Sequence, residues 1–312
     1  MLIQEIGSFY AGGRTVTVDS EIPWTVEMSH DVPDYTYDPN GTYAIDHAYV
    51  SYVIPADSSN LPLVLVHGGG MTGACWETTP DGRPGWLSNF LRAGWPCYVV
   101  DNAERGRAGW CGLPGFRSGK PMMRSQQECW TTFRIGSKDG YRSRTTFPGS
   151  QFPAGALTEL ARQMVPRWTN AEERDIATLR AVVDRVGRCA LIGHSQGGGI
   201  AAHVASAAPE KVMASVLLEP HGLPPARRED ATNPQLIVLG DNLEKSALTV
   251  LLAPLWGNYQ SVRSDIGRRV DIMDLPRLGL SGNSHLMFAD RNSDDVAGLI
   301  RGWIDTALTE LG

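Results

Sequence analysis

Apolar residues gather in short runs spread along the chain: LPLVLVHG (61–68), PCYVVDN (96–102), RCALIGH (188–194), KVMASVLLE (211–219), PQLIVLGD (234–241) and DIMDLP (271–276). Continuous apolar runs of this length, ended by turn residues or a charge, read as strands buried on both faces of a mostly parallel sheet. Helical periods lie between them. In 171–187, Ile176, Leu179, Val182, Val183 and Val186 fall on one face; Asn170 and Glu173 fit a capping box, and Gly187 fits the stop. The last helix, about 294–309, aligns Val296, Leu299, Ile300, Trp303, Ile304 and Ala307. Alternating strands and helices predict an α/β fold with helices on both faces of the sheet. Ahead of it, residues 1–20 alternate around Gly12-Gly13 and predict a hairpin, and 43–54 predict a third strand. The length of 312 residues suits one domain spanning 1–312, with N-terminal antiparallel strands over 1–55.

One stretch breaks the alternation. Residues 103–168 are rich in glycine, proline and arginine and show no period. A structureless stretch this long inside a compact domain is usually functional, so it is expected to be a cap insertion over the active site. Residues 243–265 are expected to form a second, smaller cap segment.

Composition narrows the partners. A net charge of −6 argues against nucleic acid, which requires a basic face. No apolar run is long enough to span a membrane, and the N-terminus lacks the pattern of an export signal, so a cytoplasmic location is expected. The five cysteines are irregularly spaced without a C-x-x-C pair, which predicts neither a disulfide framework nor a metal site. No cofactor is expected. The apolar N-terminal strands leave a homodimer open.

The chemistry is carried by CALIGHSQGGG (189–199). Gly193-His194-Ser195-Gln196-Gly197 is a G-x-S-x-G pattern at the junction of an apolar run and an Ala-rich segment, which predicts a serine raised on a tight strand-to-helix turn. A serine hydroxyl needs a base to take its proton, an acid to orient that base, and donors for the developing oxyanion. Of seven histidines, His285 follows the last predicted strand and is the expected base, with His221 as runner-up. His194 is expected to point away from its neighbour Ser195. On position alone the acid stays open: Glu219 and Asp241 both end predicted strands. His67-Gly68-Gly69-Gly70 follows the first core strand and suits an oxyanion loop, with Gly69 and Gln196 supplying backbone N–H groups.

These residues resemble the α/β-hydrolase superfamily over roughly 60–312. VVDNAERGRAG (99–109) also looks like its D-x-x-x-R-G-x-x-G stretch, in which Asp101 and Arg105 are structural. GSFYAGGR (7–14), WETTPDGRPGW (76–86), LLEPHG (217–222) and GNSHLMFADRN (282–292) resemble a small branch of bacterial serine esterases. That branch places its acid as a Glu after the sixth strand of the fold, which implies Glu219 over Asp241 and a Ser195–Glu219–His285 triad. It includes members with two adjacent cysteines in the oxyanion loop, where this chain has Gly69 and Gly70, and secreted members whose export signal this sequence lacks. The implied activity is cleavage of a small-molecule carboxylic ester. The same triad also serves lactone and carbon–carbon bond hydrolases, and a binding protein that had lost catalysis would keep the fold. Met71, Trp76, Trp110, Trp130 and Trp256, with Phe116, Met122, Met123 and Phe133 of the insertion, are expected to wall an apolar substrate pocket. Arg105, Arg107, Arg117 and Arg124 offer cations for a substrate carboxylate, against solvent exposure as the alternative.

Overall fold

The computed structural model describes residues 1–56, 58–113, 115–225 and 233–310. Its strands are β1 (Ile3–Val18), β2 (Trp24–Val26), β3 (Tyr35–Tyr37), β4 (Gly41–Pro55), β5 (Leu63–Val66), β6 (Cys97–Asp101), β7 (Cys189–His194), β8 (Val212–Leu218), β9 (Gln235–Leu239) and β10 (Val270–Asp274). Among the described residues, eight strands form one sheet in the order β1-β4-β6-β5-β7-β8-β9-β10, and β2 and β3 form a small separate ribbon. β4 pairs antiparallel with both β1 and β6, so it alone in the large sheet runs against the rest. All six predicted apolar runs are sheet strands, and β5 is solvent-free along its whole length.

The helices are α1 (Ala74–Glu77), α2 (Trp86–Arg92), α3 (Gln126–Thr132), α4 (Leu157–Arg162), α5 (Glu172–Val186), α6 (Gln196–Ala207), α7 (Ala247–Asp265) and α8 (Ser293–Thr309). Side chains alternate across a strand, so Leu63 and Leu65 of β5 face one layer while Val64 and Val66 face the other. The first layer holds α2, α8 and the apolar side chains of 103–168; the second holds α5, α6 and α7.

Two local expectations are corrected. Residues 1–20 are one continuous strand, not a hairpin. Its partner is β4, and the ladder skips Gly13 opposite Asp46, both at positive φ. The glycine pair therefore kinks a long strand instead of reversing it. The capping box at Asn170 and Glu173 does not form: α5 starts after Ala171, and the Asn170 amide donates to Ser118 Oγ at 3.0 Å. Gly187 ends that helix at φ 86°, as expected.

The sheet order positions the site. From β5 the chain goes to β6 on one side and later returns to β7 on the other. Loops leaving the carboxyl ends of β5 and β7 then diverge and leave a crevice between them, which is where ligands enter open α/β sheets. The glycine loop 67–70 leaves β5 there, and Ser195 leaves β7.

A buried carboxyl joins α5 to the loop after β6. Asp175 has neither oxygen hydrogen-bonded, and burial raises its pKa to about 6 against the attraction of Arg105 and Arg174. The folded chain therefore holds this proton more tightly than the unfolded chain. The stability it contributes is fully present below the ordinary aspartate value of about 4 and is lost as pH rises through about 6. Asp175→Asn should flatten the fall of Tm between pH 4 and 6, removing on the order of 2–3 kcal/mol of pH-dependent stability; thermal melts across that range measure it.

Candidate active site

The turn at Ser195 follows from steric necessity. Ser195 adopts φ 54° and ψ −117°, which L-residues rarely occupy. Its carbonyl accepts from Gly198, Gly199 and His221, at 3.0, 3.2 and 2.9 Å, so hydrogen bonds hold it in this shape. The flanking glycines allow the close packing: a Cβ at Gly193 would lie 2.4 Å from the Gly197 carbonyl oxygen, and one at Gly197 would lie 2.3 Å from that of His67.

His67 shapes the loop beneath. Its Nε2 accepts the Asn102 N–H at 3.1 Å, so Nδ1 carries the proton and donates to the Gly68 carbonyl at 2.9 Å. Burial lowers its pKa to about 4, outweighing the pull of Asp101, and keeps it neutral. Asp101 accepts the N–H groups of Gly73 (2.6 Å) and Arg107 (2.9 Å), a structural task. Gly69 borders the same cavity as Gln196. Gln196 opens α6, where a backbone N–H has no acceptor inside the helix.

His285 reaches this point from the loop after β10. Its N–H donates to the Phe133 carbonyl at 3.0 Å, and its ring stacks on Phe133 with centroids 5.5 Å apart. The preceding Ser284 is tied to buried Asp290, whose carboxylate accepts the Ser284 N–H at 2.7 Å and hydroxyl at 2.8 Å. His194, expected to point away from Ser195, instead borders the same cavity, and its Nε2–H donates to the His285 carbonyl at 2.9 Å. The imidazole Nδ1 of His285 lies 2.5 Å from Glu219 Oε2, which leaves Nε2 as the free acceptor. Asp241 is engaged elsewhere, accepting the N–H groups of Asn242 and Gly282. His221 also borders the cavity, but among the described residues no carboxylate hydrogen-bonds its ring.

Glu219 is 1% exposed and has φ 42°. Burial raises its pKa, but the charges of Arg134 and His285 outweigh burial and hold the carboxyl far below its usual range. Arg134 grips it with two nitrogens, Nη1 on Oε2 at 2.9 Å and Nη2 on Oε1, and the Gly240 N–H adds a bond at 2.9 Å. Arg134 is itself buried at φ 57°; it also donates to the Asp241 carbonyl and to Thr249 Oγ1. Nothing in the sequence singled it out: it is one of many arginines in a stretch without a period.

Ser195, Gln196, Gly69, Met71 and His285 border one cavity of about 190 Å³. Its other wall comes from Arg124, Thr132, Phe133 and Arg167, with Leu248 of α7. A serine on a strained turn, a histidine and a buried carboxylate thus converge in space as Ser195, His285 and Glu219. Among the described residues no group of three or more His, Cys, Asp or Glu side chains is placed to hold a metal ion, and no helix is long and apolar enough to cross a membrane.

The family model of the alpha/beta hydrolase family matches residues 63–305. The chain belongs to the alpha/beta hydrolase family. The solved structure of a bacterial esterase is 33% identical to this hydrolase and superposes with a TM-score of 0.84, covering 98% of this chain and 96% of that one. A probable secreted lipase of a fungal species (strain ATCC 74256) is 26% identical over 85% of this chain and 87% of its own length.

The expected aromatic wall is corrected. Of its residues, Met71 and Phe133 border the cavity at Ser195, while Phe116, Met122, Met123 and the four tryptophans do not. Trp76 is solvent-free and packs against Trp86 and Phe288, with centroids 5.8 and 4.7 Å apart. Trp130 is equally buried and donates its indole N–H to the Ser137 carbonyl. Trp256 donates to the Pro220 carbonyl and lines a separate cavity of about 390 Å³. Trp110 is 44% exposed and stacks on Trp168. Large aromatic side chains bury the most apolar area per residue, and here three of the four do so inside the hydrolase's core. Arg105, Arg107 and Arg117 do not border the cavity either, while Arg124 does.

Two substitutions test this assignment. Arg134→Met leaves Glu219 buried with half its charge partners gone and should cost about 3–5 kcal/mol in urea unfolding. Trp76→Ala should cost a similar ~3–5 kcal/mol, because it empties a closed core site.

Proposed function

We propose that this hydrolase cleaves a carboxylic ester through an acyl-enzyme on Ser195. The observation that carries the reading is the 2.5 Å contact between His285 Nδ1 and Glu219 in a site that Ser195 shares. In the neutral ring, an Nδ1–H donating to Glu219 leaves Nε2 unprotonated, the form a general base requires. The bacterial esterase and fungal lipase relatives support the same substrate class.

In this mechanism Ser195 Oγ attacks the ester carbonyl carbon and its proton passes to His285 Nε2. The imidazolium that forms is stabilised by Glu219 through Nδ1–H. The carbonyl π electrons move onto oxygen, where the N–H groups of Gly69 and Gln196 receive the negative charge. Each such donor is worth about 10²–10³ in rate. Collapse of this intermediate breaks the bond to the alkoxy oxygen, which leaves with the proton from His285. Water then attacks the acyl-serine with His285 again as base, and the acid is released.

Ser195→Ala should lower kcat on an aryl ester by about 10⁴–10⁶-fold and abolish labelling by a fluorophosphonate. Glu219→Gln should keep labelling slow but detectable, with kcat reduced by about 10⁴-fold. Undiminished ester turnover by Ser195→Ala would remove the mechanism. Turnover of a β-diketone by the unmodified chain, with none on any ester, would reassign the bond cleaved.

A further inference from the structure

The cavity in front of Ser195 is cationic in a way that ester cleavage does not require. Arg124 and Arg167 border it, and no Asp or Glu does. Among the described residues the Arg167 side chain donates one hydrogen bond, from Nη1 to the Gln196 side-chain oxygen at 2.9 Å, and its Nε is buried without a partner. Arg124 pairs through Nη1 with Glu128, at the rim with 40% of its side chain exposed; the Arg124 Nε is likewise buried and unpartnered. The two segments are fastened to each other. Met122 and Arg167 exchange backbone hydrogen bonds of 2.8 and 2.9 Å, which holds Arg124, two residues on, beside Arg167.

Two partly buried guanidinium groups side by side repel, and a buried donor left unpaired costs free energy. Burial and Arg124 lower the pKa of Arg167, opposed by Asp175 and Glu128; burial and Arg167 lower that of His221, opposed by Glu172. An anion in the cavity would relieve both costs, since a planar guanidinium pairs best with a carboxylate. The glycine loop lies under this pair: a Cβ on Gly69 would sit 2.9 Å from Arg167 Cζ. Arg167 therefore lies next to the expected oxyanion donors, and Arg124 borders the same cavity. With about 190 Å³ available, the bound group is small.

We propose that the ester substrate carries a carboxylate close to the scissile carbonyl, bound by Arg124 and Arg167. This rests on Ser195 chemistry for the word ester, but not for the anion. The test pairs charged and neutral substrates. 4-Nitrophenyl hemiglutarate against 4-nitrophenyl butyrate places the charge on the acyl side; 3-acetoxybenzoate against phenyl acetate places it on the alcohol side. At least one charged ester should exceed its neutral partner tenfold or more in kcat/KM. That preference should fall at least tenfold in Arg124→Gln and Arg167→Gln, mainly through KM, and recover in part in Arg124→Lys. Equal turnover of charged and neutral esters in both pairs would overturn the proposal. Calorimetric titration of glutarate into Ser195→Ala reads the anion site without catalysis. Saturable binding that weakens with salt and is lost in Ser195→Ala/Arg124→Gln supports it even if no ester is cleaved, whereas absence of binding overturns it even if Ser195 proves to be the nucleophile.

Discussion

The ion pair between Glu219 and Arg134 organises this molecule. A carboxylate fully removed from water is tenable only with a partner of good geometry, and Arg134 meets it with two nitrogens. Five parts of the chain converge there. β8 delivers the glutamate, the 103–168 stretch delivers the arginine, and the end of β9 adds the Gly240 N–H. α7 adds the Thr249 hydroxyl, and the loop after β10 brings His285. The charge that orients the imidazole therefore also pins the aperiodic stretch onto the sheet. Residue 133, next to the arginine, then holds the histidine loop by its carbonyl and by ring stacking.

Features read from the sequence differ in how local their causes are. The parallel strands were legible because burial on both faces demands unbroken apolar runs, and α8 because its burial repeats with the helical period. The turn at Ser195 was legible because close backbone approach excludes a Cβ at Gly193 and Gly197. Position alone did not separate Glu219 from Asp241; only the resemblance to known esterases favoured the glutamate, and the structure sets its carboxylate against His285. The pair Gly12-Gly13 misled, since positive φ serves a kink as well as a reversal and only the partner strand tells which. The tryptophans misled for a related reason: an aromatic residue in an aperiodic stretch reads alike whether it faces a ligand or a core. Arg134 and Arg167 had no signal, because what distinguishes them from other arginines is whom they meet across long sequence separations.

Part of the backbone strain sits at the site. Ser195, Glu219 and Arg134 all have positive φ without being glycine, and such conformations persist only where the surroundings over-determine them. Here the surroundings are hydrogen bonds: the Ser195 carbonyl accepts three, and the two charged residues hold each other. The pocket wall is built differently. It draws on residues 124, 132, 133 and 167 and on α7, segments that lie outside the sheet's ladders.

The hydrogen bond from His194 to the His285 carbonyl has a consequence for divergence. It joins the residue before the serine to the backbone of the histidine. The spacing between Ser195 and His285, the proposed nucleophile and base, is thereby gauged by a strut within the protein itself. Descendants of this chain can exchange the outer wall at residues 124, 132, 167 and 248, and with it the molecules admitted, while the strut keeps Ser195 and His285 in register.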